Sequence, residues 1–354
     1  MKIGIPKENK VLEQRVSLIP EAVGDIVSTG HKVFVQTEAG CGSGYADEAY
    51  QTVGAQIVPD ISTVYEEAEL IVKVKDPIEE DLELLQAHHT LFSFLHLAPQ
   101  PELIQRLCDI GLTAIGFETI TDEHVGLPLL APMSQIAGKI AIQVGTHLLH
   151  GPQGGRGIML GGMPDTEKGQ VVVLGGGNAG ASAALLAAAL GANVIVFDKN
   201  MEKMALLQQR CERITPLFPY NSSLAEEVRR ADLLIGAVLI PGAEAPKLVS
   251  QQMVEQMQPG SVIIDISVDQ GGCIETIRPT DYASPTYTHA GVLHFGVTNM
   301  PGAVPRTASQ ALSSALMPYV LQLARDGYEA HSGLQNGLQI RAGEVCHEAL
   351  KGLI

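Results

Sequence analysis

The chain has 354 residues, a formal net charge of -16 at pH 7, 45% apolar and 18% charged residues, with 37 Gly and 20 Pro. That length allows two domains of roughly 100–200 residues each, and the composition is that of an ordinary globular chain rich in tight connections. The acidic balance excludes a nucleic-acid surface of clustered Lys and Arg, while leaving open a local basic pocket inside one cleft.

In chain order, residues 2–5 read as a strand. Residues 20–29 read as a helix closed by Gly30, and residues 31–36 as a second strand. Residues 70–74, 91–95 and 113–117 repeat the apolar, β-favouring theme with helical stretches between them. Strands alternating with helices imply βαβ crossovers and a mainly parallel sheet. Functional groups in such sheets gather beyond the carboxyl ends of the strands, where Lys75 follows VKV and His96 follows FSFL.

Residues 132–149 then read as one long helix, followed by the Gly-rich loop GPQGGRGIMLGG. A second α/β unit begins at Gln170, with strands expected at residues 171–174, 193–197, 232–238, 261–267 and 292–297. Residues 308–326 are expected to be helical, and Cys346 and His347 to lie on a terminal helix. The pattern contains no fixed-period repeat and no low-complexity tract.

The strongest motif is VVVLGGGNAGASAALLAAALGANVIVFD, in which Gly175, Gly177 and Gly180 satisfy G-x-G-x-x-G between a strand and a helix. Glycine at these points permits a tight turn, close approach of backbone to a pyrophosphate, and close packing of helix on strand. The helix N-terminus adds free N–H groups and the positive end of its dipole. A second strand then ends at Asp198, whose carboxylate suits ribose hydroxyls and repels a 2′-phosphate, favouring NAD over NADP. The bland alternative is a Gly-rich turn without a ligand. The register of strand, turn, helix, strand and Asp argues against it.

Several segments together resemble the alanine dehydrogenase family, which is related to the NAD-binding subunit of proton-translocating transhydrogenases. They are IGIPKE with EQRVSLIP, VKVKDP, FSFLHLA, APMSQIAG, GGRG, the Gly-rich turn with Asp198, GAVLIPGAEAPKLV, IIDISVDQGGCIE and GVTNMPGAVPRT. They run in order from end to end. The resemblance implies an α/β fold of two Rossmann-like, doubly wound parallel-sheet domains. The substrate domain is discontinuous, formed by residues 1–129 and 305–354, with an NAD-binding domain at 130–304 between them. It also implies reversible oxidative deamination of L-alanine to pyruvate and ammonium with NAD, and a homohexamer.

Site roles follow from the same resemblance. Arg15 and Lys75 resemble the pair that holds the substrate's carboxylate and carbonyl oxygen. His96 resembles the catalytic acid/base, and Asp269 the catalytic carboxylate. Cofactor contacts are implied at Ser134, Gly175, Gly177, Asn178, Ala179, Gly180, Asp198, Lys203, Val238, Leu239, Ile266, Ser267, Val268, Asn299 and Met300. The chemistry agrees: Arg grips a carboxylate bidentately, an ammonium stabilises an oxygen gaining charge, and imidazole moves protons near neutral pH. Taken singly, each has a duller reading. Arg15 could be a surface cation, Lys75 a solvated strand end, His96 a core histidine, and Asp269 a cap on the turn before Gly271 and Gly272.

Three features depart from the family pattern. GGGNAG carries Asn178 where two small apolar residues are usual, Lys199 follows the ribose Asp, and residues 307–316 read TASQALSSAL. His88 and His89 read as a polar turn. Glu118 and His124 do not complete a metal site, and Glu66, Glu67, Glu79 and Glu80 read as solvated helix faces. Five scattered Cys without metal-clip spacing (Cys41, Cys108, Cys211, Cys273 and Cys346) suggest reduced thiols of an intracellular protein. The opening MKIGIP suggests no signal peptide, and the longest apolar run, residues 183–190, is far short of the ~20 residues of a membrane span. A cytoplasmic enzyme without membrane or nucleic-acid partners is expected. A transhydrogenase-type subunit and a non-catalytic NAD-binding protein are the alternatives.

Overall fold

The computed structural model describes residues 1–238 and 245–354. The chain divides into two compact units, one of Met1–Met133 with Gly302–Ile354, the other of Ser134–Pro301. The first boundary falls within the helix Leu130–Leu148.

Six parallel strands open the first unit: β1 (Lys2–Ile5), β2 (Lys32–Gln36), β3 (Gln56–Val58), β4 (Leu70–Val72), β5 (Thr90–Ser93) and β6 (Thr113–Gly116). Their spatial order is β6-β5-β4-β1-β2-β3. Ile3, Ile5, Val33, Val35, Leu70, Ile71 and Val72 are almost wholly buried, as expected of parallel strands covered on both faces. The helices Pro20–Ser28 and Pro101–Ile110 each place Pro in the first turn, where its missing N–H costs nothing. Gly111, with φ of 78°, ends the second of them. After β1 the chain winds outward through β2 and β3, then returns to lay β4, β5 and β6 on the other side of β1. The junction of β1 and β4 is therefore a topological switch point.

The second unit repeats this winding with β7 (Gln170–Leu174), β8 (Asn193–Phe197), β9 (Ile214–Leu217), β10 (Leu233–Gly236), β11 (Val262–Asp265), β12 (Thr286–His289) and β13 (Val292–Phe295). The order is β12-β13-β11-β10-β7-β8-β9, parallel except for β12, which runs antiparallel to β13. Its switch point is the junction of β7 and β10. The edge strands β9 and β12 were not expected from the sequence. β9 contains Pro216, which an edge strand tolerates because one side of its backbone needs no partner, and β12 is polar and half-exposed.

Two predictions are corrected. Instead of a terminal helix, the chain returns to the first sheet as β14 (Leu338–Arg341) against β6 and β15 (Glu344–Val345) against β14, both antiparallel. Arg341 pairs Glu344 across a two-residue turn in which Ala342 and Gly343 have φ of 48° and 86°, the double positive φ of a type I′ hairpin. Cys346 and His347 follow β15. The second correction concerns His89, which is buried; its Nε2 contacts the Tyr65 carbonyl at 2.8 Å and Nδ1 accepts the Gln86 N–H at 2.9 Å. Burial lowers its pKa. His88 beside it is exposed.

Each unit has its own apolar core. In the first, Val64, Ile71, Leu91, Ile104, Leu107 and Ile340 interdigitate. In the second, Val172, Leu234, Val254, Ile263 and Ile274 do so. Among the described residues no helix is long and apolar enough to cross a membrane.

Candidate active site

The first unit gathers charged side chains at the carboxyl edge of four adjacent strands. Arg15 lies on the loop after β1, Lys75 just beyond β4, His96 beyond β5, and Glu118 on the 3-10 turn Phe117–Thr119 directly after β6. Arg15 is only 3% exposed, so the surface-cation reading fails. Its Nε donates to Glu13 Oε1 at 2.7 Å and its Nη2 to Glu13 Oε2 at 2.5 Å, while Nη1 lies 3.4 Å from Met133 Sδ. The helix Pro305–Asp326 fixes the chain just after it. Ser309 Oγ accepts the Val16 N–H at 3.0 Å and Ser313 Oγ the Ile19 N–H at 3.1 Å. Two of the three serines of the departing TASQALSSAL segment, Ser309 and Ser313, are thus fully buried anchors.

Lys75 is half-buried, two residues beyond a group that sequence reasoning missed. Lys73 is 2% exposed; its Nζ donates to Asp81 Oδ1 at 3.1 Å and lies 3.8 Å from Glu8 Oε2. Tyr65 donates to the same Asp81 oxygen at 2.7 Å, and Glu8 Oε1 accepts the Val74 N–H at 2.6 Å. Burial pushes the Glu8 carboxyl up, against the pull of Lys73. Burial also opposes the charge on Lys73, but Glu8 and Asp81 outweigh it and hold its pKa above the ordinary lysine value. The cluster ties the Glu8–Arg15 loop to the backbone next to Lys75. The signal available in the sequence was the alternation in VKVK, which puts Lys73 and Lys75 on one face of an extended chain.

His96 is exposed, not a core histidine, and its backbone is left-handed, φ 45°. Its ring stacks on Phe94 with centroids 5.7 Å apart and planes at 4°.

In the second unit the Gly-rich turn joins β7 to the helix Asn178–Ala189. A Cβ on Gly180 would lie 1.8 Å from the Gly175 carbonyl oxygen, so only glycine lets helix and strand approach as they do. A Cβ on Gly177 would project into open space within reach of nothing, the place a pyrophosphate needs. Asn178 and Ala179 form the first turn of the helix, where N–H groups lack helical partners. Asp198 Oδ2 accepts the Gly176 N–H at 2.6 Å and Oδ1 the Asn200 N–H at 2.8 Å, bringing the acidic group against the turn. Lys199, directly after Asp198, and Lys203, in the first turn of Met201–Arg210, are both exposed. Ser134 lies one turn before Gly138, whose Cβ would meet the Ala179 carbonyl oxygen at 2.1 Å, so their helix passes close to the turn.

Val238 follows β10, while Leu239 falls outside the described residues. Beyond β11, Ile266, Ser267 and the 3-10 turn Val268–Gln270 present Asp269, which is exposed. Asp265, at the end of β11, organises this loop: Oδ1 accepts the Ser267 N–H at 2.9 Å, and Oδ2 those of Cys273 at 2.7 Å and Ile274 at 3.2 Å. Burial raises the Asp265 pKa, opposed by these N–H donors. Asn299 has φ of 60°, and Met300, whose carbonyl accepts the Tyr282 hydroxyl at 3.2 Å, is buried. Among the described residues no cluster of His, Cys, Asp and Glu could hold a metal ion.

Two mostly parallel sheets, each with its candidate residues at a switch point and one with a dinucleotide turn, define a nucleotide-dependent α/β protein of Rossmann type. The chain belongs to the alanine dehydrogenase/PNT family: the family's N-terminal domain matches residues 4–137 and its C-terminal domain residues 141–348. It is 45% identical to an alanine dehydrogenase of Halomonas elongata over 99% of this chain and 96% of that one. The alanine dehydrogenase of Bacillus subtilis is 46% identical over 99% and 94%. A solved L-alanine dehydrogenase superposes with a TM-score of 0.96 at 47% identity, covering 100% of this chain and 99% of that one. A transhydrogenase from Sinorhizobium meliloti shares the fold, with a TM-score of 0.84 at 24% identity over 99% and 100%.

Proposed function

We infer that this chain is an NAD-dependent alanine dehydrogenase, converting L-alanine, NAD and water reversibly to pyruvate, ammonium, NADH and a proton. The observation that carries the reading is the grouping of Arg15, Lys75 and His96 at the carboxyl ends of adjacent strands β1, β4 and β5 in a chain of this family. Bound NAD supplies the carbon that accepts hydride from the substrate Cα. Its phosphates are assigned to the turn Gly175, Gly177, Asn178, Ala179 and Gly180, and its ribose to Asp198. The remaining contacts fall to Ser134, Lys203, Val238, Leu239, Ile266, Ser267, Val268, Asn299 and Met300.

Arg15, already gripped by Glu13 along its Nε–Nη2 edge, meets the substrate carboxylate with the Nη1–Nη2 edge. Lys75 places an ammonium against the ketone oxygen of pyruvate and the alkoxide it becomes when ammonia adds. His96 carries the proton between that oxygen, the amine and water. Asp269 orients the attacking water and stabilises the iminium left when hydride departs. The reaction requires all four groups to reach one substrate molecule. The family resemblance further supports a homohexamer working in the cytoplasm in amino-acid catabolism.

Purified protein is incubated with NAD and single amino acids, and NADH formation is followed. L-Alanine is expected to be the best substrate, and the reverse reaction to need both pyruvate and ammonium. Hydride exchange between two nucleotides without amino-acid turnover would replace this reading with a transhydrogenase-type subunit; binding of NAD with neither reaction would replace it with a non-catalytic binding protein. Light scattering on the purified protein counts the subunits.

A further inference from the structure

The residue proposed to move protons stands in a left-handed backbone conformation that residues other than glycine rarely adopt. His96 has φ of 45° and an exposed ring, so something around it must fix the strained geometry. Two contacts do so locally. Gln100 Nε2 donates to the His96 carbonyl at 3.1 Å, and the ring lies flat against Phe94. The third comes from the turn after β6: Glu118 accepts the Leu95 N–H through Oε2 at 3.2 Å and the His96 N–H through Oε1 at 2.8 Å. One carboxylate thereby clamps two successive peptide groups at the strained turn.

Glu118 is itself held from more than 200 residues further along the chain. Gln339, on β14 and 2% exposed, donates from Nε2 to Glu118 Oε1 at 3.0 Å and to Thr119 Oγ1 at 3.2 Å. The sheet makes room for it: a Cβ on Gly116 would lie 2.0 Å from that nitrogen. Its backbone carbonyl is fixed too, accepting the Cys346 N–H at 2.8 Å from beyond β15, while the side-chain oxygen Oε1 is buried without a hydrogen-bond partner. A buried amide at this place serves no purpose in pairing β14 with β6, which apolar side chains would serve better. Its one donor group spans two acceptors on the turn after β6, the nearer of them the oxygen that holds His96.

We propose that Gln339 is a positioning residue for the alanine dehydrogenase reaction, acting through Glu118 to set the backbone, and hence the ring direction, of His96. The C-terminal hairpin is then part of the proton-transfer apparatus and not only an edge of the sheet. The proposal rests on the role given to His96 under the proposed function.

The test uses full-length Gln339→Met, which keeps the volume and removes the donor, and Glu118→Gln, which keeps one acceptor. Steady-state kinetics are measured in the direction of pyruvate amination. The rate of diethyl pyrocarbonate modification of His96 is read by peptide mass spectrometry against exposed His124 in the same sample. Both variants are expected to lose about tenfold or more in kcat, with KM for pyruvate and Kd for NADH within about twofold. The His96:His124 labelling ratio should change at the same time. A folded Gln339→Met variant with wild-type kcat and an unchanged ratio overturns the proposal, even if its Tm falls. If the wild-type protein shows no amination while the ratio still moves in both variants, the positioning relay stands and the alanine dehydrogenase reading falls. If Gln339→Met does not fold, Glu118→Gln decides by the same two readouts.

Discussion

The two sheets reverse their winding at equivalent places, and they differ in what stands there. At the β7–β10 junction the chain offers backbone: a turn of glycines, a helix N-terminus, and one carboxylate bonded to the Gly176 N–H. At the β1–β4 junction it offers charged side chains, each buried at its root and held by another: Arg15 by Glu13, and the approach to Lys75 by Glu8, Lys73 and Asp81. Glycine and dipoles suit a ligand that is large, anionic and repeated in kind from protein to protein. Fixed cations and an imidazole suit a small acid on which protons must move. On the proposed function the same winding would serve binding in one unit and chemistry in the other, and variants in the two units are then expected to fail in different ways.

The sharpest break is expected at His96. His96→Ala should lower kcat for pyruvate amination by about 10³-fold, about 4 kcal/mol in barrier, with NADH affinity nearly unchanged by titration of nucleotide fluorescence. Asp269→Asn should behave alike although Asp269 lies in the nucleotide unit, because its loop, pinned by Asp265, presents a carboxylate and not backbone. A large loss of NADH binding in either variant would break the division of labour.

Next in size is the buried cation. Removing one partner of a buried ion pair costs about 3 kcal/mol or more, so Lys73→Met should lower Tm by several degrees, leaving Glu8 and Asp81 to repel each other. The pH dependence has a definite sign. Lys73 has a folded pKa above its ordinary 10.5, so its stabilisation is complete below that value and is lost as pH rises through the folded pKa. Wild-type Tm should fall across that alkaline window more steeply than the Tm of Lys73→Met. Parallel curves would mean that the lysine does not carry the difference.

How much of this contrast could be read beforehand follows from where each signal resides. The nucleotide turn was legible because its requirement is local: Gly175, Gly177 and Gly180 must be glycine, and these three positions within six residues declare it. Arg15, Lys75 and His96 were legible only through whole-chain resemblance, since nothing adjacent marks them, and alone Arg15 reads as a surface cation when it is in fact buried. The supports were hardly legible: beyond the VKVK alternation, nothing in the sequence pointed to them. Lys73, Ser309 and Gln339 find their partners 8 to 293 residues away in sequence, and a buried polar residue looks like an exposed one until the fold supplies the other half of its hydrogen bond. The hairpin β14–β15, which stands just before the Cys346 and His347 that read as helix, is not announced because Ala342 and Gly343 carry no strong turn signature, although their positive φ values are what close it.

A smaller effect should follow from crowding the nucleotide turn. In Gly180→Val a side chain must displace the Gly175 carbonyl, which a Cβ would approach to 1.8 Å. NADH affinity should fall by about 10²-fold, since the first helical turn is pushed off the phosphates. Diethyl pyrocarbonate should modify His96 at the wild-type rate. A changed rate would mean that the two sets of groups are not independent.

The smallest expected change concerns the choice of nucleotide. Asp198 already accepts N–H donors on both oxygens, from Gly176 and Asn200, so its carboxylate is fixed in place and cannot swing away from a 2′-phosphate. Lys199 and Lys203 are exposed next to it and soften the repulsion only through solvent, where screening is strong. NAD should therefore be preferred by the wild-type protein, and Asp198→Ser should raise kcat/KM with NADP by about tenfold, one lost charge at solvent-exposed distance. Adding Lys199→Ala to that variant should take back part of the gain, because the lysine then faces the phosphate without a competing carboxylate. A wild-type protein that uses both nucleotides equally would show that Lys199 outweighs Asp198, and the turn would then recognise pyrophosphate alone.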